Sequence, residues 1–194
     1  CWLLLTGLGS LAARFFTRPS VVFYGGLCLV LGVWPLVQLL FIRWGRDIFF
    51  LHGSAPGFYG ILWYVLLTTT PYCVMAGYIL PYALEVLRGE GESLTAGGLY
   101  VTDSIGDIAG GALFSFALVY WLKPFTAVVL TSSLLLAAGI SILIARRRLV
   151  PAALGLVTVA VFVTAGLDKN FETYSLAGPF QGILRYVESP YGRV

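Results

Sequence analysis

Two carboxylates stand four residues apart in an otherwise uncharged run, TAGGLYVTDSIGDIAGGALFSFALVYWL, so Asp103 and Asp107 project from one face of any helix that forms there. An ionised carboxylate at the centre of a bilayer costs on the order of 3 kcal/mol on insertion scales unless it is neutralised, paired or hydrated. Tyr100, Gly110, Gly111 and Phe114 share that face, and Gly106 with Gly110 forms a GxxxG pattern, which lets a second helix approach closely. Two roles fit the pair. In one, the aspartates are structural and bond to hydroxyls or amides of neighbouring helices, with Thr68, Thr69, Thr70, Tyr72, Tyr78 and Gln38 as available donors. In the other, they bind a substrate or couple an ion. Both expect Asp103 and Asp107 to face the interior of a bundle, with Gly106, Gly110 or Gly111 against another helix.

No catalytic constellation is legible beside them. The sequence has no P-loop, dinucleotide fingerprint, HExxH or nucleophile elbow. Its one histidine, His52, excludes a multi-histidine metal site, and Cys1, Cys28 and Cys73 each lie alone in apolar sequence, as packing residues do. No metal site or resident cofactor is expected. The stretch TTTPYCVMAGYILPYAL holds Pro71, Gly77 and Pro81, a pattern that kinks a helix and admits a close neighbour.

The elements that must carry these residues follow from composition. Of 194 residues, 59% are apolar and 11% charged, and the mean hydropathy is +0.90. A soluble globular domain carries about 25% charge, so that class is excluded, as is a disordered chain at a net charge of +3. Twelve Lys and Arg scattered between apolar blocks form no basic stripe, which argues against nucleic acid as a partner.

Charged residues divide the chain into runs near the roughly 20 residues needed to cross hydrocarbon. These are Val21 to Ile42, Gly57 to Leu84, Ser93 to Leu122, Pro124 to Ala145 and Leu149 to Leu167, with Cys1 to Ala13 as a shorter apolar stub. The expected fold is an all-α polytopic transmembrane bundle of five full spans plus a truncated N-terminal helix, with breaks near Arg18, Arg46, Glu90, Lys123 and Arg147. Residue 1 is Cys and the chain opens inside an apolar run, so it reads as a fragment of a longer protein. Residues 1–167 form the membrane domain. Residues 168–194, with six charged residues among turn and strand formers, read as a linker and the first strands of a β-rich soluble domain, Ile183 to Glu188 among them.

Four stretches resemble one family. GLGSLAARFFTRP, TTTPYCVMAGYILP and GGLYVTDSIGDIAGGALFSF are similar to helices in the membrane half of spermidine synthase-like proteins. ILRYVESPYGRV is similar to the opening strand of their soluble aminopropyltransferase-type domain. The order and spacing of the four match over most of the chain. The resemblance implies a nucleotide-type fold after Val194, binding decarboxylated S-adenosylmethionine and a putrescine-like amine. Ser189, Pro190, Tyr191 and Gly192 match the edge of that domain, although many bacterial relatives carry Gln where Gly192 stands. Asp103 falls on the family's Asp/Asn position, whereas Asp107 replaces a small or apolar residue.

The leading expectation is therefore an integral membrane portion, in a bacterial cytoplasmic membrane, that anchors a synthase-like domain and presents or moves its substrate. A secondary transporter with the aspartates as coupling site and a membrane scaffold subunit are the alternatives. Loops after the first, third and fifth segments hold Arg14, Arg18, Arg88 and Arg146 to Arg148, against Arg43, Arg46 and Lys123 in the others. Basic short loops stay cytoplasmic, so the triple-Arg turn is expected inside and the tail from Asp168 outside. Topology reporters fused after Leu94 and Ala145 should give cytoplasmic signals and one after Val194 an external signal. A cytoplasmic signal at Val194 as well would show that the last segment does not cross.

Overall fold

The computed structural model describes residues 2–15, 19–50, 57–91, 95–122, 124–167, 188–189 and 192–193. Up to Leu167 the regular structure of the described residues is helical: α1 (Trp2–Ala13), α2 (Val21–Phe49), α3 (Phe58–Gly89), α4 (Ala96–Leu113), a π-helical turn (Phe114–Leu118), α5 (Val119–Trp121), α6 (Pro124–Ala145) and α7 (Leu149–Leu167). Among the described residues four helical stretches are long and apolar enough to cross a membrane: Val21–Gly45, Phe58–Gly89, Ala96–Trp121 and Phe125–Ala145. Trp2–Ala13 and Leu149–Thr164 are shorter apolar helices. Large apolar side chains such as Leu3, Ile108, Phe116 and Val150 are more than 70% exposed, far beyond what a water-soluble surface tolerates in such number.

One boundary is displaced from the sequence expectation: α2 continues three residues past Arg46 and ends at Phe49. Charge ends a hydrophobic run without ending the helical hydrogen-bond ladder, which is free to emerge into the polar interface. α3 is also unbroken through Pro71 and Pro81 and ends only where Gly91 takes a φ of +84°. α6 ends differently. Arg147 adopts φ +56°, and the amides of Arg147 and Arg148 donate to the carbonyls of Ile144 and Leu143, a Schellman-type stop without glycine. That left-handed residue costs on the order of 1 kcal/mol and reverses the chain tightly enough to lay α7 back along α6.

The packed helices follow one another in the order α1, α3, α2, α6, α7. Small residues set each crossing. A Cβ on Gly9 would strike the Val74 carbonyl, and one on Gly77 would strike that of Thr6, so α1 and α3 meet backbone to backbone. Pro81 has no amide to offer the Gly77 carbonyl one turn earlier, and the Ser10 hydroxyl of α1 donates to that oxygen at 3.0 Å. Gly32 lies against Leu136, with 2.7 Å left for a Cβ, and Gly25 and Gly139 line the same seam between α2 and α6. α7 runs the length of α6, with Ala152 packed among Ile140 and Leu143 and Phe162 against the cluster of Leu36, Phe125 and Val129.

Of the expected soluble start, Glu188–Ser189 and Gly192–Arg193 form a two-residue antiparallel ladder in which Glu188 pairs with Arg193 and Ser189 with Gly192. Residues 183–187 of the expected strand, and Tyr191, lie outside the described residues.

The α1 and α3 seam yields a stability test. Gly77→Ile should destabilise the helical domain by about 3 kcal/mol through overpacking, and Ser10→Ala by about 1 kcal/mol through the orphaned carbonyl, both read from SDS-titrated unfolding in micelles. Gly7→Ala, where a Cβ meets nothing within 4 Å, should not destabilise. Equal effects at Gly7 and Gly77 would contradict the backbone contact.

Candidate functional site

α4 positions the aspartates. Thr95 caps its N-terminus, its side chain accepting from the Gly98 amide at 3.2 Å, and the helix then runs without interruption to Leu113. At 1.5 Å per residue Asp103 stands roughly 10 Å and Asp107 roughly 16 Å beyond Ala96, so Asp107 lies near the middle of the candidate span Ala96–Trp121. Tyr100 is 65% exposed, one turn before them.

The sequence places these residues inward, and the structure corrects that placement. α4 has no buried residue and makes no extended contact with another helix. Asp103 and Asp107 are exposed, and a Cβ on Gly106, Gly110 or Gly111 would meet nothing within 4 Å. Only Gly77 among the four expected packing glycines sits in a crossing. The reason lies in the rest of the chain, whose small residues already receive neighbours: Gly9 and Gly77 between α1 and α3, Gly25, Gly32 and Gly139 between α2 and α6, and Gly155 against Ile140.

The three anticipated threonine donors are engaged elsewhere too. Thr68 and Thr69 donate to the Val65 carbonyl, Thr68 also to that of Tyr64, and Thr70 to that of Leu66, all within their own helix. Tyr78 stacks on Tyr82 with ring centroids 5.4 Å apart. One α2 side chain comes within electrostatic reach of the site, since the Tyr24 phenol feels the Asp103 charge.

Other chemical features lie away from the aspartates. Cys28 and Cys73 are buried and free. Among the described residues no three His, Cys, Asp or Glu side chains come together as a metal site. An apolar groove of about 350 Å³ opens between α2, α6 and α7, lined by Val30, Trp34, Val37, Leu136 and Thr158, and contains no carboxylate.

The two ends of the helices are distinct. Arg146 pairs with Glu90, Arg88 bonds Glu85 at 3.2 Å, Tyr82 accepts from the Ser20 amide at 2.9 Å, and Pro19 lies against Gly89. The loops after α1, α3 and α6 therefore share one end, which carries Arg14, Arg88 and Arg146 to Arg148. At the other end Arg43 sits 6.0 Å from the Phe125 ring centroid, and the Tyr64 hydroxyl donates to the Ile42 carbonyl at 2.9 Å. Sequence reading placed these basic residues by counting. It had no signal for the Ser10 to Gly77 bond beyond a proline four residues after a glycine.

Compared with known protein families, with curated protein sequences and with solved structures, the chain matches none of them.

The uncovered carboxylates make α4 a costly span by itself. Replacing Asp103 and Asp107 by Leu should favour translocon insertion of the Ala96 to Trp121 segment by about 3 kcal/mol per residue. Glycosylation mapping in microsomes would read this as a rise in the inserted fraction. An unchanged fraction would mean that the carboxylates do not meet the hydrocarbon.

Proposed function

We propose that this chain is the integral membrane portion of a spermidine synthase-like protein of a bacterial cytoplasmic membrane. In this reading α2, α3, α4 with α5, α6 and α7 all cross. α1 packs beside α3, and the helices hold a soluble aminopropyltransferase-type domain that continues from the Glu188 to Arg193 hairpin. That domain would bind decarboxylated S-adenosylmethionine and an amine acceptor, while the helices anchor it and present or move its substrate.

The observation that carries the reading is the α1 and α3 crossing. GLGSLAARFFTRP and TTTPYCVMAGYILP resemble the family at two sites far apart in sequence, and the two stretches meet in one crossing: Gly9 of the first lies against the Val74 backbone of the second, and Ser10 of the first donates to the Gly77 carbonyl of the second. A shared requirement for close backbone approach explains why both would take those residue types together. The short hairpin across Ser189 and Gly192 adds support, because it falls on the stretch similar to the start of the soluble domain. The transporter reading has no comparable support, since neither aspartate borders the groove between α2, α6 and α7.

The reading is tested with the full-length gene product. Its membranes should release 5′-methylthioadenosine from decarboxylated S-adenosylmethionine in a putrescine-dependent manner, whereas membranes holding residues 1–194 alone should not. No amine-dependent release from the full-length product would refute it.

A further inference from the structure

We propose that the turn joining α6 to α7 binds the headgroup of an anionic phospholipid, with Arg147 and Arg148 holding its phosphate. This goes beyond the reading above and does not depend on which soluble domain the helices hold.

The positive charge at this end of the helices exceeds what the described residues beside it neutralise. Arg14, Arg88, Arg146, Arg147 and Arg148 stand there against Glu85 and Glu90. Both carboxylates are already engaged, Glu85 by Arg88 and Glu90 by Arg146. Arg147 and Arg148 are exposed, and neither meets a carboxylate among the described residues. Their backbone is nevertheless fixed. Arg147 is held at φ +56°, and both amides donate back to α6, at Ile144 and Leu143, so the two adjacent arginines sit on an ordered turn before any ligand arrives.

The surface around the turn selects the kind of anion. Leu149 and Val150 follow Arg148 directly and are exposed, and Phe15 beside Arg14 is exposed as well. The turn also stands at the limit of the candidate span Phe125–Ala145. Guanidinium groups and bare apolar side chains therefore adjoin within a residue or two, at the depth where a span leaves hydrocarbon. A soluble anion satisfies the arginines alone. A phospholipid satisfies both, its acyl chains along the first turn of α7 and its phosphate within reach of paired guanidinium donors. Because these arginines lack local acids, a headgroup with net negative charge is favoured over a zwitterionic one, whose own cation competes for the phosphate.

A competition between two lipids tests this. The full-length gene product is purified in detergent micelles doped with equal amounts of phosphatidylglycerol and phosphatidylcholine of the same acyl chains, and the singly lipid-bound species is read by native mass spectrometry. Phosphatidylglycerol should be favoured by on the order of tenfold. Arg147→Gln with Arg148→Gln should abolish that preference, whereas Arg88→Gln, at an arginine already held by Glu85, should preserve it. All three side chains are exposed, so the variants should keep wild-type helix content by circular dichroism. Equal binding of the two lipids by the unaltered protein would overturn the proposal, as would a preference that survives in the double Gln variant. An equal loss in the Arg88→Gln variant would overturn it in favour of the summed charge of this end. Displacement of phosphatidylglycerol by millimolar ammonium phosphate would overturn it in favour of a soluble anion.

Discussion

Hydrocarbon offers a backbone no hydrogen-bond partner, and most of this architecture follows from that absence. Each span is helical because only a helix satisfies its own amides and carbonyls. Where Pro81 interrupts that self-sufficiency, a neighbour repairs it. Pro81 leaves the Gly77 carbonyl without its usual donor, and Ser10 of α1 supplies one. The repair needs α1 close to α3, and the approach is possible because Gly9 and Gly77 put no side chain between the backbones. Proline, glycine and serine on two helices thus answer one requirement. The hydroxyls of Thr68, Thr69 and Thr70 meet the same demand locally by bonding to their own helix.

How the ends are organised has a different cause. The ion pair between Arg146 and Glu90 is exposed, and such pairs contribute at most about 1 kcal/mol. Its significance is topological. It ties the turn after α6 to the end of α3, while the Ser20 to Tyr82 bond ties the start of α2 to that same end. Charge counting assigns a side of the membrane to each loop, and these contacts independently group the same loops together. α7 then leaves the arginine-rich end at Leu149 and packs Phe162 on the Phe125 cluster near the start of α6, which directs its C-terminus to the opposite end.

The helices were legible in sequence because charge punctuates apolar runs. Pro124 to Ala145 and Leu149 to Leu167 coincide with α6 and α7 for that reason. Helix ends outside the hydrocarbon were not legible, as the continuation of α2 past Arg46 illustrates, since hydropathy reports the surrounding solvent and not the backbone ladder. Pairing between helices was also hidden. Gly77 reads as a packing residue, but nothing in the sequence names α1 as the helix it meets, and Gly106 and Gly110 carry the same signature with no neighbour within 4 Å among the described residues. The inward placement of Asp103 and Asp107 rested on a sound energetic premise applied to the wrong boundary, because a cost that forbids lipid contact does not specify which molecule provides the cover.

α4 therefore differs in kind from the helices around it. α3 also carries polar residues and prolines, and its packing against α1 and α2 compensates for them. α4 carries two acids and has no such packing. Association of membrane helices gains little from hydrophobicity, because lipid is as apolar as the partner, and depends instead on close backbone contact and polar bonds. α4 has the residues for both interactions and, among the described residues, buries no side chain against another helix. An element in that condition draws little stability from the packed helices, and the hydrocarbon cost of Asp103 and Asp107 falls on α4 itself.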